Sequence, residues 1–270
     1  MDDRPIGVFD SGLGGLTTVR ELCRLLPEED IVYFGDTGRV PYGSRSRETI
    51  VKYARQDVAF LRTFDLKAIV IACGTVSTTA LDVLAAENPI PVLGVVAPAA
   101  RAAARATRSG SIGLIGTQAS IRSGAYERLI RAENPAARVL AQPCPLFVPL
   151  VENGRFRPGD VVIETVAAEY LAPLKEAGVD TLVLGCTHYP LLAKVIGAYM
   201  GPEVRLINSG AEGARAAADC LRERDALAGP GRGSCRCFVS DRQEDFSRLA
   251  STFLGWDVAQ AVEQVDISQY

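Results

Sequence analysis

Residues 66–84, LKAIVIACGTVSTTALDVL, run from an apolar stretch through Cys73 and Gly74 into a segment with helical spacing. Residues 179–196, VDTLVLGCTHYPLLAKVI, repeat that plan around Cys186. Two more pairs align in the same order. IGVFDSGLGGL (6–16) matches IGLIGTQASI (112–121), and IVYFGDTGRVPYGSRS (31–46) takes the place of VLAQPCPLFVPLVENG (139–154). The chain therefore reads as two similar halves, each supplying three strand-end loops that carry polar residues.

Around these anchors, apolar runs at 6–9, 30–34, 68–72, 92–95, 112–115, 139–141, 181–184 and 204–207 alternate with helical spacing at 49–64, 78–86 and 158–177. That alternation predicts βαβ units and mostly parallel sheets, with strands covered on both faces. The expected fold is α/β, with two pseudo-symmetric lobes, each a mostly parallel sheet flanked by helices, and an active site in the cleft between them. Residues 1–97 and 213–270 form the first lobe, carrying Cys73, and 98–212 the second, carrying Cys186. The tail after 212 is expected to be helical and to return to the first lobe.

Composition narrows the function. With 29 Lys+Arg against 32 Asp+Glu, net charge is −3 and no basic footprint points to nucleic acid. No apolar run reaches the roughly 18 residues of a membrane span. The start, MDDRPIGVFDSG, is unlike a secretory signal, so a cytoplasmic protein is expected. The seven cysteines are scattered rather than arranged as a disulfide framework. One histidine and a single C-x-C pair, Cys235 and Cys237, predict no metal site. DSGLGG (10–15) lacks the full dinucleotide-binding spacing, no phosphate-loop motif occurs, and Lys52, Lys67, Lys175 and Lys194 lie outside the polar loops. No cofactor is expected; a small-molecule substrate is.

Cys73 and Cys186 occupy equivalent positions, each expected between a strand and a helix, where exposed N–H groups favour a thiolate. One thiol from each half, with a substrate between them, suits removal of a proton from one face of a carbon and delivery to the other. His188, two residues beyond Cys186, is placed to orient that thiol or hold a proton. Asp10 is placed to hold an ammonium or assist proton transfer. Cys23, Cys144 and Cys220 have no partner in the repeat and read as packing residues.

Six motifs in register, GVFDSGLGGLTTVREL (7–22), DTGRVPYGSRS (36–46), ACGT (72–75), GLIGTQASIRSGAY (113–126), PLVENG (149–154) and LGCTHYPLL (184–192), resemble those of cofactor-independent glutamate racemases in the aspartate/glutamate racemase superfamily. The resemblance implies interconversion of L- and D-glutamate for peptidoglycan, with Cys73 acting on one enantiomer and Cys186 on the other, assisted by Asp10 and His188. It implies substrate contacts from Asp10, Ser11, Tyr42, Gly43, Gly74, Thr75, Thr117, Thr187 and His188. Asp36, Ser44, Ser120 and Glu152 are expected to line the cleft, with Thr37 near it, and the resemblance allows a homodimer.

One position departs from the family pattern: Gly74 stands where Asn is usual after the first cysteine. A carboxylate or water is expected in the space so vacated. The alternatives are a racemase of another acidic amino acid such as aspartate, a non-catalytic racemase-like protein that inhibits DNA gyrase, and a superfamily decarboxylase, for which one thiol would be superfluous.

Overall fold

The computed structural model describes residues 1–241, 243–256 and 262–270. Its strands are β1 (Ile6–Asp10), β2 (Ile31–Gly35), β3 (Ala68–Ile71), β4 (Val92–Gly94), β5 (Ser111–Gly116), β6 (Arg138–Pro143), β7 (Thr181–Leu184), β8 (Arg205–Asn208), β9 (Cys235–Val239) and β10 (Val262–Gln264). They form two sheets, ordered β10-β9-β2-β1-β3-β4 and β6-β5-β7-β8, and every pairing is parallel. The order β2-β1-β3-β4 recurs as β6-β5-β7-β8, so the repeat seen in the sequence is a repeat of topology. β3 and β7, which end at the two cysteines, are equivalent strands. Each lies beside the first strand of its half.

Strands β1, β2, β3 and β7 are buried along their whole length because helices cover both faces, as continuous apolarity requires. Helices Arg47–Leu61 and Val161–Glu176 lie close to their expected positions. Each starts at a side-chain cap, Ser46 accepting from Thr49 N (3.3 Å) and Asp160 from Val162 N (3.0 Å). The helix expected at 78–86 is instead two, Gly74–Thr79 and Leu81–Glu87, meeting at Ala80.

The tail departs from expectation. Helix Ser209–Glu223 packs on helix Leu16–Leu25, but the chain then adds β9 and β10 to the first sheet beyond β2. β9, CRCFV, interrupts its buried Cys237, Phe238 and Val239 with exposed Arg236 upstream, so it shows no apolar run of strand length. One apolar cluster joins Val8, Leu16 and Val70 of the first sheet's side to Ile115, Leu184 and Tyr189 of the second's. The two sheets therefore share a core, and the loops at their carboxyl ends meet.

A buried ion pair ties this frame to the tail. Lys67, just before β3, donates to the Asp2 carbonyl (2.6 Å) and contacts Glu29 Oε2, while Glu29 Oε1 accepts from Ala228 N (2.9 Å). Both side chains are almost fully buried, so removing one strands the other's charge. Lys67→Met is expected to lower stability by about 3–5 kcal/mol in urea unfolding, more than the matched double replacement Lys67→Met with Glu29→Leu.

Candidate active site

The strand-end loops enclose a cavity of ≈ 350 Å³, within the range of small-molecule sites. Ser11 and Gly12 follow β1, residues 40–44 follow β2, and Cys73, Gly74 and Thr75 follow β3. The second lobe supplies Thr117 and Gln118 after β5, Cys144 and Glu152 after β6, and Cys186, Thr187 and His188 after β7. Both thiols of the repeat thus line one cavity.

Their surroundings differ. Cys73 caps helix Gly74–Thr79, and its Sγ is 3.4 Å from Ser11 Oγ. The expectation of a helix-lowered pKa fails here: burial, and then the Asp10 carboxylate, push the Cys73 thiol up to about 12. A six-residue helix has too small a dipole to offset that desolvation. Cys186 has no helix directly after it, since the 3₁₀ turn begins only at Tyr189. Its neighbour is His188, whose Nδ1 lies 3.9 Å from Cys186 Sγ and whose Nε2 lies 2.9 Å from Glu152 Oε1. Burial opposes the imidazolium, but Cys186 and Glu152 outweigh it and raise His188 to about 10.

The remaining residues divide by depth. Ser44, Gly43, Thr75, Thr117, Thr187 and Glu152 reach the cavity as expected. Asp10 does not: it is buried behind the lining, accepting from Gly12 N (3.1 Å) and the Thr187 hydroxyl (3.4 Å), and burial raises its pKa. Tyr42 lines the wall, but its hydroxyl points away, toward Asp36 and Asp57. Asp36 is fully buried behind that wall, where Arg39 and Ser240 consume its oxygens, so it does not line the cleft. Ser120 is likewise buried, accepting from Thr117 Oγ1 (3.0 Å), and Thr37 bonds Asp241 at a distance from the cavity. Cys144, read as packing alone, is buried and also lines the cavity, as do Val40, Pro41, Val148 and Pro149. Short apolar loop residues of this kind carry no chemical signal in a sequence.

The lobes meet closely beside the thiols. A Cβ on Gly74 would lie 2.5 Å from the Gly185 carbonyl oxygen, and one on Gly14 would lie 2.2 Å from Thr187 Oγ1 and 2.5 Å from His188 Nδ1. A Cβ at Gly74 would thus meet the opposite lobe, while Gly74 itself lines the cavity. Hydrogen bonds cross the same seam: Thr17 Oγ1 donates to the Thr187 carbonyl (2.9 Å), and Thr75 and Thr117 hydroxyls meet at 3.0 Å.

Two thiols at equivalent strand ends thus face one cavity. A family model described as Asp/Glu/Hydantoin racemase matches residues 9–217. The chain belongs to this racemase family. It is an amino-acid racemase. A curated glutamate racemase from Geobacter metallireducens is 49% identical over 94% of each chain. The crystal structure of a glutamate racemase isoform from Bacillus anthracis superposes with a TM-score of 0.93 at 38% identity, covering 98% of both chains. A Francisella tularensis glutamate racemase, solved in complex with D-glutamate, gives 0.92 at 38% identity over the whole of both chains.

Among the described residues no group of three or more His, Cys, Asp or Glu is arranged to hold a metal ion, and no helix is long and apolar enough to cross a membrane. The glycine contact carries a prediction for this racemase. Gly74→Ala forces the Gly185 carbonyl to move, which is expected to cost about 1–3 kcal/mol in urea unfolding. Because that movement separates the loops carrying the thiols, kcat is expected to fall at least about tenfold in both directions.

Proposed function

We propose that the chain racemises glutamate by a two-base mechanism in this cleft, as a cytoplasmic enzyme supplying D-glutamate to peptidoglycan. The observation that carries the reading is the placement of Cys73 and Cys186, from the two halves of the repeat, on one small cavity. The glutamate racemases it resembles, one bound to D-glutamate, support the choice of substrate.

In this mechanism a thiolate on one face takes the α-proton, its sulfur becomes S–H, and the electron pair stays on the α-carbon. The thiol on the other face then gives its proton to that carbon and becomes the thiolate. Atoms and charge balance with no redox partner. The product leaves the two sulfurs in exchanged protonation states, which solvent resets or the reverse turnover uses. Ser11 Oγ, beside Cys73, and His188, beside Cys186, are the adjacent groups that accommodate these changes. The N–H groups at the start of helix Gly74–Thr79 offer donors for the substrate carboxylates, in a cavity also lined by Thr75, Thr117 and Thr187.

Asp10 enters this scheme through Thr187, whose hydroxyl it receives, rather than by touching substrate. Its buried carboxyl bonds Gly12 N in the loop after β1 and, in the other lobe, Thr187 beside Cys186. The role is to hold the loops in register and to set the field at Cys73.

Each single variant, Cys73→Ser and Cys186→Ser, is expected to lose racemisation by about 100- to 10,000-fold. In D₂O the surviving thiol is expected to exchange the α-proton of one enantiomer only, the opposite one in the two variants, read by proton NMR. Full racemisation by either variant rejects the two-base reading.

The His188 pairing sets a second test. With its pKa raised from 6.5 to about 10, the imidazolium's contribution is whole below pH 6.5 and is lost as pH rises through about 10. Glu152→Gln removes one of the anions responsible, so the alkaline limb of the kcat/KM profile is expected to move to lower pH. An unmoved limb detaches His188 from the profile.

A further inference from the structure

One buried acid has no part in the chemistry above. Asp57, on helix Arg47–Leu61, is fully buried and lies outside the cavity lining. It belongs to a polar cluster behind the cavity wall at residues 40–44. Arg39 is the hub: its Nε donates to Asp36 Oδ2 (2.6 Å), one terminal nitrogen to Gln56 Oε1 (2.6 Å), and the other to Asp57 Oδ1 (2.8 Å). Ser240 Oγ donates to Asp36 Oδ1 (2.7 Å). The Tyr42 hydroxyl sits between the carboxyls, donating to Asp36 Oδ2, with its oxygen 3.2 Å from Asp57 Oδ2.

The protons can be counted. A phenol has one, and here it goes to Asp36. The second contact of the Tyr42 oxygen then needs a proton from Asp57, because the Arg39 bonds run to other atoms. Asp36 has donors on both oxygens, whereas among the described residues Tyr42 alone hydrogen-bonds Asp57 Oδ2. Charge agrees with this count: Arg39 balances one carboxylate, and a second fully buried one would be uncompensated.

We infer that Asp57 is a neutral carboxylic acid that donates its proton to Tyr42 and so positions the 40–44 wall of the cleft for substrate binding. The wall is a short 3₁₀ turn packed on the other lobe, where a Cβ on Gly43 would lie 3.0 Å from Thr117 Cβ. Groups facing Asp57 from each side bear on its protonation: Asp36 and Arg39 from the loop, Tyr42 from the wall, and Asp10 at the end of β1. The Tyr53 ring lies under the Arg39 guanidinium at 4.2 Å. Burial, followed by Asp36, holds the Asp57 carboxyl well above the usual carboxylate range, in the direction the proton count requires.

This role rests on the reading that glutamate binds in the cleft, and the experiment separates the two. Steady-state racemisation of both enantiomers is measured for the full chain and for Asp57→Asn, Asp57→Ala, Tyr42→Phe and Cys73→Ser, with thermal unfolding of each. Asp57→Asn keeps an acceptor for Arg39 and an N–H donor for the Tyr42 oxygen, so its KM is expected within about twofold of the parent. Asp57→Ala and Tyr42→Phe lose that hydrogen bond and are expected to raise KM about tenfold, with kcat within about threefold. An Asp57→Asn variant as impaired as Asp57→Ala overturns the neutral acid, since a charged partner for Arg39 would then be the requirement. Unchanged KM in Tyr42→Phe overturns the positioning role, and this variant decides if Asp57→Ala does not fold. Racemisation surviving in Cys73→Ser removes the cleft reading itself, whatever the Asp57 variants do.

Discussion

The site depends on how closely two separate sheets can bring their carboxyl edges together. Gly74 faces the Gly185 carbonyl, main chain to main chain, and Gly14 faces the side chains of Thr187 and His188, at distances that leave no room for a Cβ. Gly74, Gly185 and Thr187 adjoin the two cysteines, so the contact that sets the spacing of the lobes also sets the spacing of the two sulfurs. A small displacement between catalytic groups costs far more in rate than in stability, which places a demand on this seam that packing alone would not. Thr17 and Thr75 add hydrogen bonds across it, and the shared apolar cluster beneath it resists shear.

How much of this was legible in the sequence follows from what kind of information each feature needs. Strands buried on both faces must be apolar throughout, so β1, β2, β3 and β7 stand out as short runs, and the repeat of strand order shows in aligned motifs. The thiol pair was legible for the same reason, since equivalent strands end at equivalent residues. β9 was hidden because Arg236 breaks its buried face, and the three residues of β10 are too few to form a pattern. The raised pKa of Cys73 was hidden because it arises from Asp10 and burial, both products of tertiary packing, while the helix following the cysteine was visible and pointed the other way. Asp57 reads in sequence as one charge on a helix, and only the fold brings it to Tyr42.

The same distinction explains the position of Asp36 and Asp10. Polar motifs at strand ends are natural candidates for contact with a ligand, and several here do line the cavity. Carboxylates in such loops can equally serve as acceptors for the loop's own backbone and hydroxyl donors, and both of these do so. A cleft built from six loops needs its loops fixed from behind, and buried acids that accept several bonds at once meet that need.

The pseudo-symmetry of the scaffold stops at the electrostatics. Cys73 faces a serine hydroxyl and a buried acid, whereas Cys186 faces a histidine held by Glu152. Enantiomers have equal free energies in water, so the equilibrium constant is one, and kcat/KM must be equal in the two directions however unlike the thiols are. The asymmetry can therefore change only how each direction divides its barrier between binding and turnover. A direction whose substrate meets the better-prepared base binds into a state nearer to reaction, and the other must first bind to a state whose protons are less favourably placed. On the proposed two-base mechanism, two matched strand ends make both directions chemically available, and their unmatched neighbours decide which enantiomer is held more tightly during reaction.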